Sequence, residues 1–216
     1  MHRRISDYEI LNNLFINEAY VMVVHPSLPA KSIPEFVAYA KAHPGQLSYG
    51  SAGSGSLPHL AAEVFKAQTG TFMVHIPFRG GGPMVVDLLG GNVHVAIGDQ
   101  ANLMPLVQAG KLRALAVATN KRSPRSPDIP TIAEFLPGFE ATAWQGLVGP
   151  AGMPPEITRR LNSAFNQVMA MPAIREKLAG GGLEPVGGTS EQFAGFIASE
   201  ITKWTKISKD VGAKPD

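Results

Sequence analysis

The repeated order of strand, polar loop and helix between residues 47 and 118 constrains the fold more than any other feature of this sequence. Short runs with alternating apolar residues are each followed by a polar or glycine-rich loop and then by apolar residues at helical spacing. This alternation predicts an α/β fold with a mostly parallel sheet. The loops that follow the strands then lie along one edge, which is where open α/β sheets bind their ligands.

The first of these loops, residues 51–56, consists of serines and glycines with a single alanine. Without bulky side chains, backbone N–H groups at the start of the next helix can come within hydrogen-bonding distance of an anion. Ser56 is predicted to be the N-cap, and Pro58 fits the first turn because an N–H there would have no partner. A loop that only turns the chain is the competing interpretation. The favoured ligand is a carboxylate or a phosphate.

Nucleotide and hydrolytic motifs do not fit this loop. A dinucleotide fingerprint needs a glycine where Pro58 stands and an acidic residue after the next strand, where Arg79 follows instead. No lysine lies between Lys41 and Lys66, so a P-loop is excluded, and the G-x-S-x-G elbow of hydrolases has no frame here. We therefore predict no catalytic residue and no cofactor. An NADP-dependent enzyme that places Arg79 on a 2′-phosphate is the alternative.

Overall composition argues against several other kinds of partner. A formal net charge of +2 with 17% charged residues gives no basic stripe, so nucleic-acid binding is not expected. No apolar run reaches the roughly 18 residues of a membrane span, and polar residues follow the first arginines where a signal peptide would need its apolar core. The absence of cysteine excludes disulfides and thiolate metal sites, and no metal is predicted.

The sequence after this repeat predicts a helix-rich second part. Three prolines between residues 120 and 130 indicate a crossover between domains. Beyond it we predict one strand at residues 141–148, a stub near residues 183–186, and three helices. The last helix carries a broad apolar face. Its residues are Phe193, Phe196, Ile197, Ile201, Trp204 and Ile207. Because so few strands cannot cover this face, self-association through it is expected.

Several short motifs spread over nearly the whole chain fit one known family. They are Val23-Val24-His25-Pro26-Ser27-Leu28-Pro29, Tyr49-Gly50-Ser51-Ala52-Gly53, His59-Leu60-Ala61, His75-Ile76-Pro77-Phe78-Arg79-Gly80, Asp87-Leu88-Leu89-Gly90-Gly91, Ala109-Gly110-Lys111-Leu112-Arg113-Ala114-Leu115, Pro130-Thr131-Ile132-Ala133-Glu134 and Glu184-Pro185-Val186-Gly187-Gly188-Thr189. With these motifs the chain resembles the tripartite tricarboxylate transporter substrate-binding proteins, the Bug family of periplasmic solute receptors. Each motif is weak alone, but together they are highly specific.

The resemblance implies a periplasmic-binding-protein-like fold, the Venus flytrap, in which two α/β domains close on a small carboxylate. It also implies binding without chemistry, delivery to membrane permease subunits and a periplasmic location. For this chain it implies a crossover with a remnant of domain one at residues 1–22 and a complete ligand-binding α/β domain at residues 23–122. Residues 123–216 would then form the C-terminal part of domain one.

The resemblance further implies a set of ligand-binding residues. The family's carboxylate loop falls on Ser51, Gly53, Ser54, Gly55, Ser56 and His59, its second loop on Arg79 and Gly80, and its third loop on Asp99. His59 can either face the ligand or pack against its own loop. Asp99 stands one position later than the family's usual aspartate, so that it is either an anchor for an amine or a water, or a negative charge at a helix N-terminus.

Members of this family begin with a long apolar strand, a Pro-x-Pro-x-Gly-Gly loop and several βα units that have no counterpart in this sequence. The resemblance therefore leads us to expect a truncated receptor that lacks the opposite wall of its cleft. Such a receptor would bind its ligand weakly and associate through its last helix. A fragment that forms an oligomer and binds no ligand is the second alternative.

Overall fold

The computed structural model describes residues 7–17, 20–123, 126–180 and 183–212. The chain divides into two compact units. Unit 1 comprises Met1–Asn17 and Ala143–Thr205, and unit 2 comprises Glu18–Thr142 and Lys206–Asp216. These bounds differ from the predicted divisions after residues 22 and 122, because residues 20–22 and 123–142 belong to unit 2.

The described residues form strands and helices in both units. The strands are β1 (Tyr8–Asn17), β2 (Tyr20–Val24), β3 (Ser48–Ser51), β4 (Val74–Pro77), β5 (Val95–Asp99), β6 (Arg113–Val117), β7 (Trp144–Pro150) and β8 (Leu183–Pro185). The helices are α1 (Ile33–Ala42), α2 (Leu57–Thr69), α3 (Gly81–Leu89), α4 (Gln100–Gln108), α5 (Pro155–Ala170), α6 (Pro172–Gly180) and α7 (Ser190–Asp210), with a short 3₁₀ helix at Ile132–Glu134. In the described part of the chain, none of these helices combines the length and the apolar character needed to span a bilayer.

Unit 2 is built on a five-stranded sheet in the order β4-β3-β5-β2-β6. Strand β3 pairs in parallel with β4 and β5, whereas β2 pairs antiparallel with both β5 and β6. All strands except β2 therefore run in the same direction, as the alternation of strands and helices predicts. Residues 21–24 of the antiparallel strand β2 are fully buried, because this strand lies between β5 and β6 inside the sheet.

Two groups of apolar side chains hold the helices of unit 2 on this sheet. The first group is Val21, Val23, Met84, Leu88, Val93, Ala96, Leu103, Leu112 and Val117. The second is a group of three aromatic rings, in which the ring centroid of Phe65 lies 5.9 Å from that of Phe36 and 6.4 Å from that of Phe139. Because full burial of one such side chain contributes about 1.5–3 kcal/mol, these groups account for much of the stability of the unit.

The predicted crossover at residues 120–130 is wrong. The segment that follows β6 stays with unit 2: Val117 donates its N–H to the carbonyl of Pro130 at 2.8 Å, and Ala141 donates to Ala118 at 2.8 Å. Phe139 is buried against Phe65. Prolines mark a segment that is neither helix nor central strand, but they do not distinguish a linker from a loop that packs on its own domain. The change of unit occurs after Thr142.

Unit 1 contains a three-stranded antiparallel sheet in the order β7-β1-β8. The sequence predicts the outer strands β7 and β8 but not the central strand β1. This unit therefore has one strand more than expected. The register of β1 against β7 shifts between Ile10 and Asn12 and again between Asn13 and Phe15. Such bulges place two residues of one strand opposite one of its partner, and this breaks the period-two pattern by which strands are recognised.

The sheet of unit 1 covers the first half of the apolar face on α7. Phe193 and Ile197 are buried. The indole of Trp144 in β7 packs edge-to-face on the rings of Phe193 and Phe196, with ring centroids 5.7 and 5.4 Å apart. Ile201 is 48% exposed. Self-association through this face stays a prediction.

We expect the substitution Gly146→Ala to destabilise unit 1. An alanine Cβ at this position of β7 would lie 2.0 Å from Cζ of Phe193, a buried ring held against Trp144. Overpacking of this kind costs about 1–3 kcal/mol. Urea unfolding followed by tryptophan fluorescence measures the loss.

The control for this variant is Gly195→Ala on α7, where an added Cβ meets no atom within 4 Å. Because alanine is the better helix former by about 1 kcal/mol, this second variant should be at least as stable as the parent chain. Equal stability of the two variants would contradict the packing of Gly146 on Phe193.

Candidate ligand-binding site

Three parallel strands of unit 2 end side by side at one edge of the sheet. Strand β3 lies between β4 and β5. The three strands end at Ser51, Pro77 and Asp99, and helices α2, α3 and α4 begin shortly afterwards. Their N-termini, each with a positive partial charge, therefore lie along the same edge, as the sequence predicts.

The loop between β3 and α2, residues 51–56, is braced by hydrogen bonds of its own. Ser51 is fully buried; its Oγ accepts the N–H of Gly53 at 3.2 Å and lies 3.1 Å from the carbonyl oxygen of Gly53. The hydroxyl of Ser56 donates to the same carbonyl at 2.6 Å. The predicted capping by the Ser56 hydroxyl is therefore wrong. Ser56 is the N-cap residue of α2, but its side chain makes no capping hydrogen bond.

The glycines of this loop are required by the backbone. Gly53 and Gly55 have φ angles of 127° and 76°, which residues with a Cβ rarely adopt. An added Cβ at Gly55 would meet no atom within 4 Å, so that conformation and not space selects glycine there. Between them, Ser54 is half-buried, and none of the residues that the structure describes bonds to its side chain. Its hydroxyl is thus available to a ligand.

His59 lies in the first turn of α2 and is 7% exposed. Its Nδ1 accepts the backbone N–H of Gly55 at 3.0 Å. The imidazole thus resembles in its role the glutamate of a capping box, which also reaches back from the first turn to a backbone N–H. Of the two interpretations left open by the sequence, the structure shows the packing of His59 against its own loop.

Three stacked rings connect this loop to the neighbouring strand. The ring centroid of His75 in β4 lies 4.0 Å from that of His59 and 4.8 Å from that of Tyr49. The corresponding interplanar angles are 5° and 15°. The Nε2 of His75 is 2.7 Å from Ser51 Oγ. Sequence reasoning missed Tyr49 and His75 as supports of the loop. Alternation along each strand indicates which side chains share a face, but only the register, in which Tyr49 pairs with His75, brings these two together.

Tyr49 also begins a polar network that ends on α2. Its buried hydroxyl donates to Glu63 Oε1, and Lys66 Nζ lies 2.7 Å from the same oxygen. Burial acts to raise the pKa of Glu63, but the hydrogen bonds from Lys66 and Tyr49 outweigh it, so that this pKa is lowered. Burial, aided by the bond to Glu63, raises the pKa of Tyr49 and keeps the phenol protonated.

The second loop brings an exposed cation to the edge. Arg79 is exposed, and it forms no hydrogen bond or ion pair with any residue in the described ranges. Gly80 follows with a φ of 106° as the N-cap of α3, and no side chain caps this helix. The first turn of α3 therefore resembles that of α2 in leaving backbone donors without a side-chain cap.

The third loop differs from the other two. Asp99 Oδ1 accepts the N–H of Ala101 at 2.8 Å, so this carboxylate caps α4. Of the two readings of Asp99, the structure favours the charge at a helix N-terminus. Tyr20 pairs with Asp99 across β2 and β5, and burial, followed by the Asp99 charge, raises the pKa of its phenol. Tyr20 was not among the predicted residues, because only the strand register places it at this edge.

The donor set at the edge suits an anion. It combines the N-termini of α2 and α3 with the hydroxyl of Ser54 and the guanidinium of Arg79. Such groups bind carboxylates and phosphates through charge-assisted hydrogen bonds. Within the described ranges, no three histidine, aspartate and glutamate side chains are grouped so that they could hold a metal ion.

Comparison with known proteins adds a family match over almost the whole chain. Residues 2–213 match the family described as "Tripartite tricarboxylate transporter family receptor". The chain is also 38% identical over 195 residues to Protein BugT of Bordetella pertussis, an overlap that covers 90% of this chain and 60% of BugT. The chain spans about three fifths of the length of the first curated relatives that it matches.

Solved structures show the same architecture. The Rpa4515 protein of R. palustris, whose structure is described as being with adipate, superposes on the whole of this chain with a TM-score of 0.91 and 34% identity, and 72% of that protein is covered. The periplasmic binding protein BugD gives a TM-score of 0.85 and 25% identity, over 97% of this chain and 71% of BugD. The fold is therefore the α/β fold of periplasmic binding proteins of this type.

The network around Glu63 predicts a loss of stability in acid. Because the pKa of Glu63 is lowered in the folded state, its carboxylate stabilises the fold above its unfolded pKa of about 4.3. That contribution disappears as the pH falls through the folded value. We expect Glu63→Gln to lower the free energy of unfolding by about 1–3 kcal/mol at neutral pH, because it breaks charged hydrogen bonds to Lys66 and Tyr49.

Urea unfolding at neutral pH and at about pH 3 compares the variant with the parent chain. The difference between the two proteins should shrink in acid, because the carboxylate of the parent chain loses its stabilising contribution as the pH falls below the unfolded pKa and towards the lowered folded one. Glu140→Gln serves as the control, because Glu140 is exposed and pairs with no described residue. A loss at Glu63 of the same size at both pH values would contradict the charged network.

Proposed function

The chain belongs to the tripartite tricarboxylate transporter receptor family, and we propose that it forms the carboxylate-binding part of a solute receptor that holds its ligand without chemistry. Family membership and the α/β fold support this proposal. The adipate named with the Rpa4515 structure supports a small organic acid as the ligand.

One observation carries the proposal: two adjacent helix N-termini have no side-chain cap, and an exposed arginine without a described partner lies beside them. The contrast with α4 is informative, because there Asp99 already supplies the negative charge. An anion is therefore favoured at the α2 and α3 side of the edge and repelled near Asp99. Each charge-assisted hydrogen bond from the loops contributes about 1.5–3 kcal/mol.

The predicted site residues then divide into two kinds. We assign direct contacts with one carboxylate to the hydroxyl of Ser54 and to the uncapped backbone N–H groups in the first turn of α2, because the N–H groups of Gly55 and Ser56 are already bonded within the loop. The hydroxyls of Ser51 and Ser56 instead fix the carbonyl and the N–H of Gly53. Both serines thus stay in the site as supports of the loop.

The second loop and the third loop complete the assignment. Arg79, with the backbone of Gly80 beside it, is proposed to bind a second carboxylate of a di-acid. Asp99 is proposed to face the part of the ligand that is not negative, directly or through a water.

The cellular setting of the proposal follows from the family. We propose that the receptor works in the periplasm and passes its ligand to permease subunits in the membrane. The name of BugD as a periplasmic binding protein supports the compartment.

Binding itself is tested by calorimetric titration of the chain with acetate, succinate, adipate and malate. NADP⁺ is the comparison ligand, because a dinucleotide-binding protein would prefer it. Saturable binding of an organic acid supports the receptor. Binding of NADP⁺ without binding of any acid would refute it.

Arg79→Met tests the contact with a second carboxylate. If Arg79 binds the distal group, the variant should weaken adipate binding about tenfold or more and acetate binding by much less, because only the di-acid carries a second negative group. Lys41→Met is the matched control, since Lys41 is an exposed cation at the C-terminal end of α1, near the start of β3 and not its end. Equal losses for adipate and acetate would contradict the contact.

A further inference from the structure

We propose that the stacked His59 and His75 are positioning residues, which hold the anion loop of residues 51–56 in its binding conformation, and that protonation of His59 releases this loop. The effect on ligand affinity rests on the proposed function, but the release of the loop does not. His59, predicted as a ligand contact, would then act through the loop.

Each imidazole is bonded to a different end of the loop. His75 Nε2 lies 2.7 Å from Ser51 Oγ, at the point where β3 ends. His59 Nδ1 accepts the N–H of Gly55, just before α2 begins. A ring nitrogen that accepts a hydrogen bond carries no proton, so His59 in this arrangement is neutral with its proton on Nε2. The bond to Gly55 therefore exists only in the neutral form of His59.

The stack allows at most one of the two histidines to be charged easily. Their ring centroids are 4.0 Å apart and the rings are almost parallel, at 5°. Two imidazolium rings in this position would place like charges face to face, and because His59 is buried and His75 is half-buried, water screens them only in part. The ring centroid of Tyr49 lies 4.8 Å from that of His75 and 6.4 Å from that of His59, and its phenol is protonated because burial raises its pKa.

Two charged side chains near His59, those of Glu63 and Lys66, lie on α2. Glu63 attracts a charged His59, since the two interact electrostatically, and Lys66 offsets part of that attraction by its bond to Glu63. Protonation of His59 is thus favoured by Glu63 and opposed by His75 and by the bond to Gly55.

Protonation has a direct consequence for the shape of the loop. A proton on Nδ1 turns an acceptor into a donor, so that two N–H groups face each other between His59 and Gly55. A Cβ added at Gly55 would meet no atom within 4 Å, so there is open space beside this residue. The backbone around Gly55 then moves away, and the N–H groups presented to an anion lose their common direction.

The first test needs no ligand. In the ¹⁵N-labelled chain, ring nitrogen shifts at about pH 7.5 should identify Nδ1 of His59 as the unprotonated nitrogen, and the Gly55 amide resonance should shift as this ring titrates. In His59→Asn the side-chain oxygen can still accept from Gly55 but does not titrate. The pH-dependent shift of Gly55 should therefore vanish in this variant.

The matched control is His43→Asn. His43 is also stacked on an aromatic ring, that of Tyr39, and its Nδ1 also lies 2.9 Å from a backbone atom, the carbonyl oxygen of Tyr39. It lies at the end of α1 and not in the loop. His43→Asn should leave the titration of the Gly55 amide unchanged. A Gly55 resonance that titrates equally in the parent chain and in His59→Asn would overturn the proposal.

The second test measures adipate affinity at about pH 7.5 and about pH 5.5. If only the neutral form of His59 holds the loop, affinity should fall about tenfold more in the parent chain than in His59→Asn. The ratio of the parent's affinity to the variant's affinity at each pH removes the effect of adipate protonation, because that effect is the same for both proteins. His75→Gln, which keeps a polar group near Ser51, should retain binding at the higher pH, and His59→Ala should weaken it at both.

The two tests separate this inference from the proposed function. If adipate does not bind but the Gly55 amide follows His59, the receptor proposal is weakened and the positioning role stands. If adipate binds with the same pH dependence in the parent chain and in His59→Asn, the positioning role is refuted and the receptor proposal stands.

Discussion

The parallel pairing of β3 with β4 and β5 is the constraint on which the rest of unit 2 depends. Ser51 pairs with Pro77, so two strands end at the same level, and the third ends next to them at Asp99. Parallel strands cannot be joined by tight turns, so each is followed by a helix that returns along the sheet. Three helix N-termini are thereby forced onto one edge. The edge attracts anions because of chain direction, before any charged side chain is considered.

Side chains then decide which part of this edge an anion can use. Asp99 caps α4 and supplies a negative charge of its own, whereas the first turns of α2 and α3 have no such cap. Among the predicted site residues, Arg79 adds the only side chain with a fixed positive charge. The edge is thus polarised from an anion-attracting side at α2 and α3 to an anion-repelling side at α4. A ligand with separate acidic and neutral parts would be oriented by this difference.

The sequence predicts most of unit 2 because its strands and helices follow simple periods. It fails where those periods are broken or where register matters. Strand β1 was missed because two bulges interrupt its alternation. The site residues were largely brought to one edge as predicted, but their roles shifted: Ser56 bonds to Gly53 and leaves α2 uncapped, and His59 bonds to Gly55. Hydrogen-bond partners of loop side chains depend on distances of a few tenths of an ångström, which spacing in the sequence does not determine.

The polar core beside the loop follows from what the loop has to do. A loop that offers N–H groups to an anion cannot satisfy all of its backbone within a helix or a sheet, so its remaining polar atoms need fixed partners. Ser51 and His59 supply these partners from buried positions. An apolar support would leave the N–H of Gly55 without an acceptor, and a carboxylate there would repel the ligand. A neutral imidazole accepts the bond without adding negative charge, and the same chemistry makes the support sensitive to protonation.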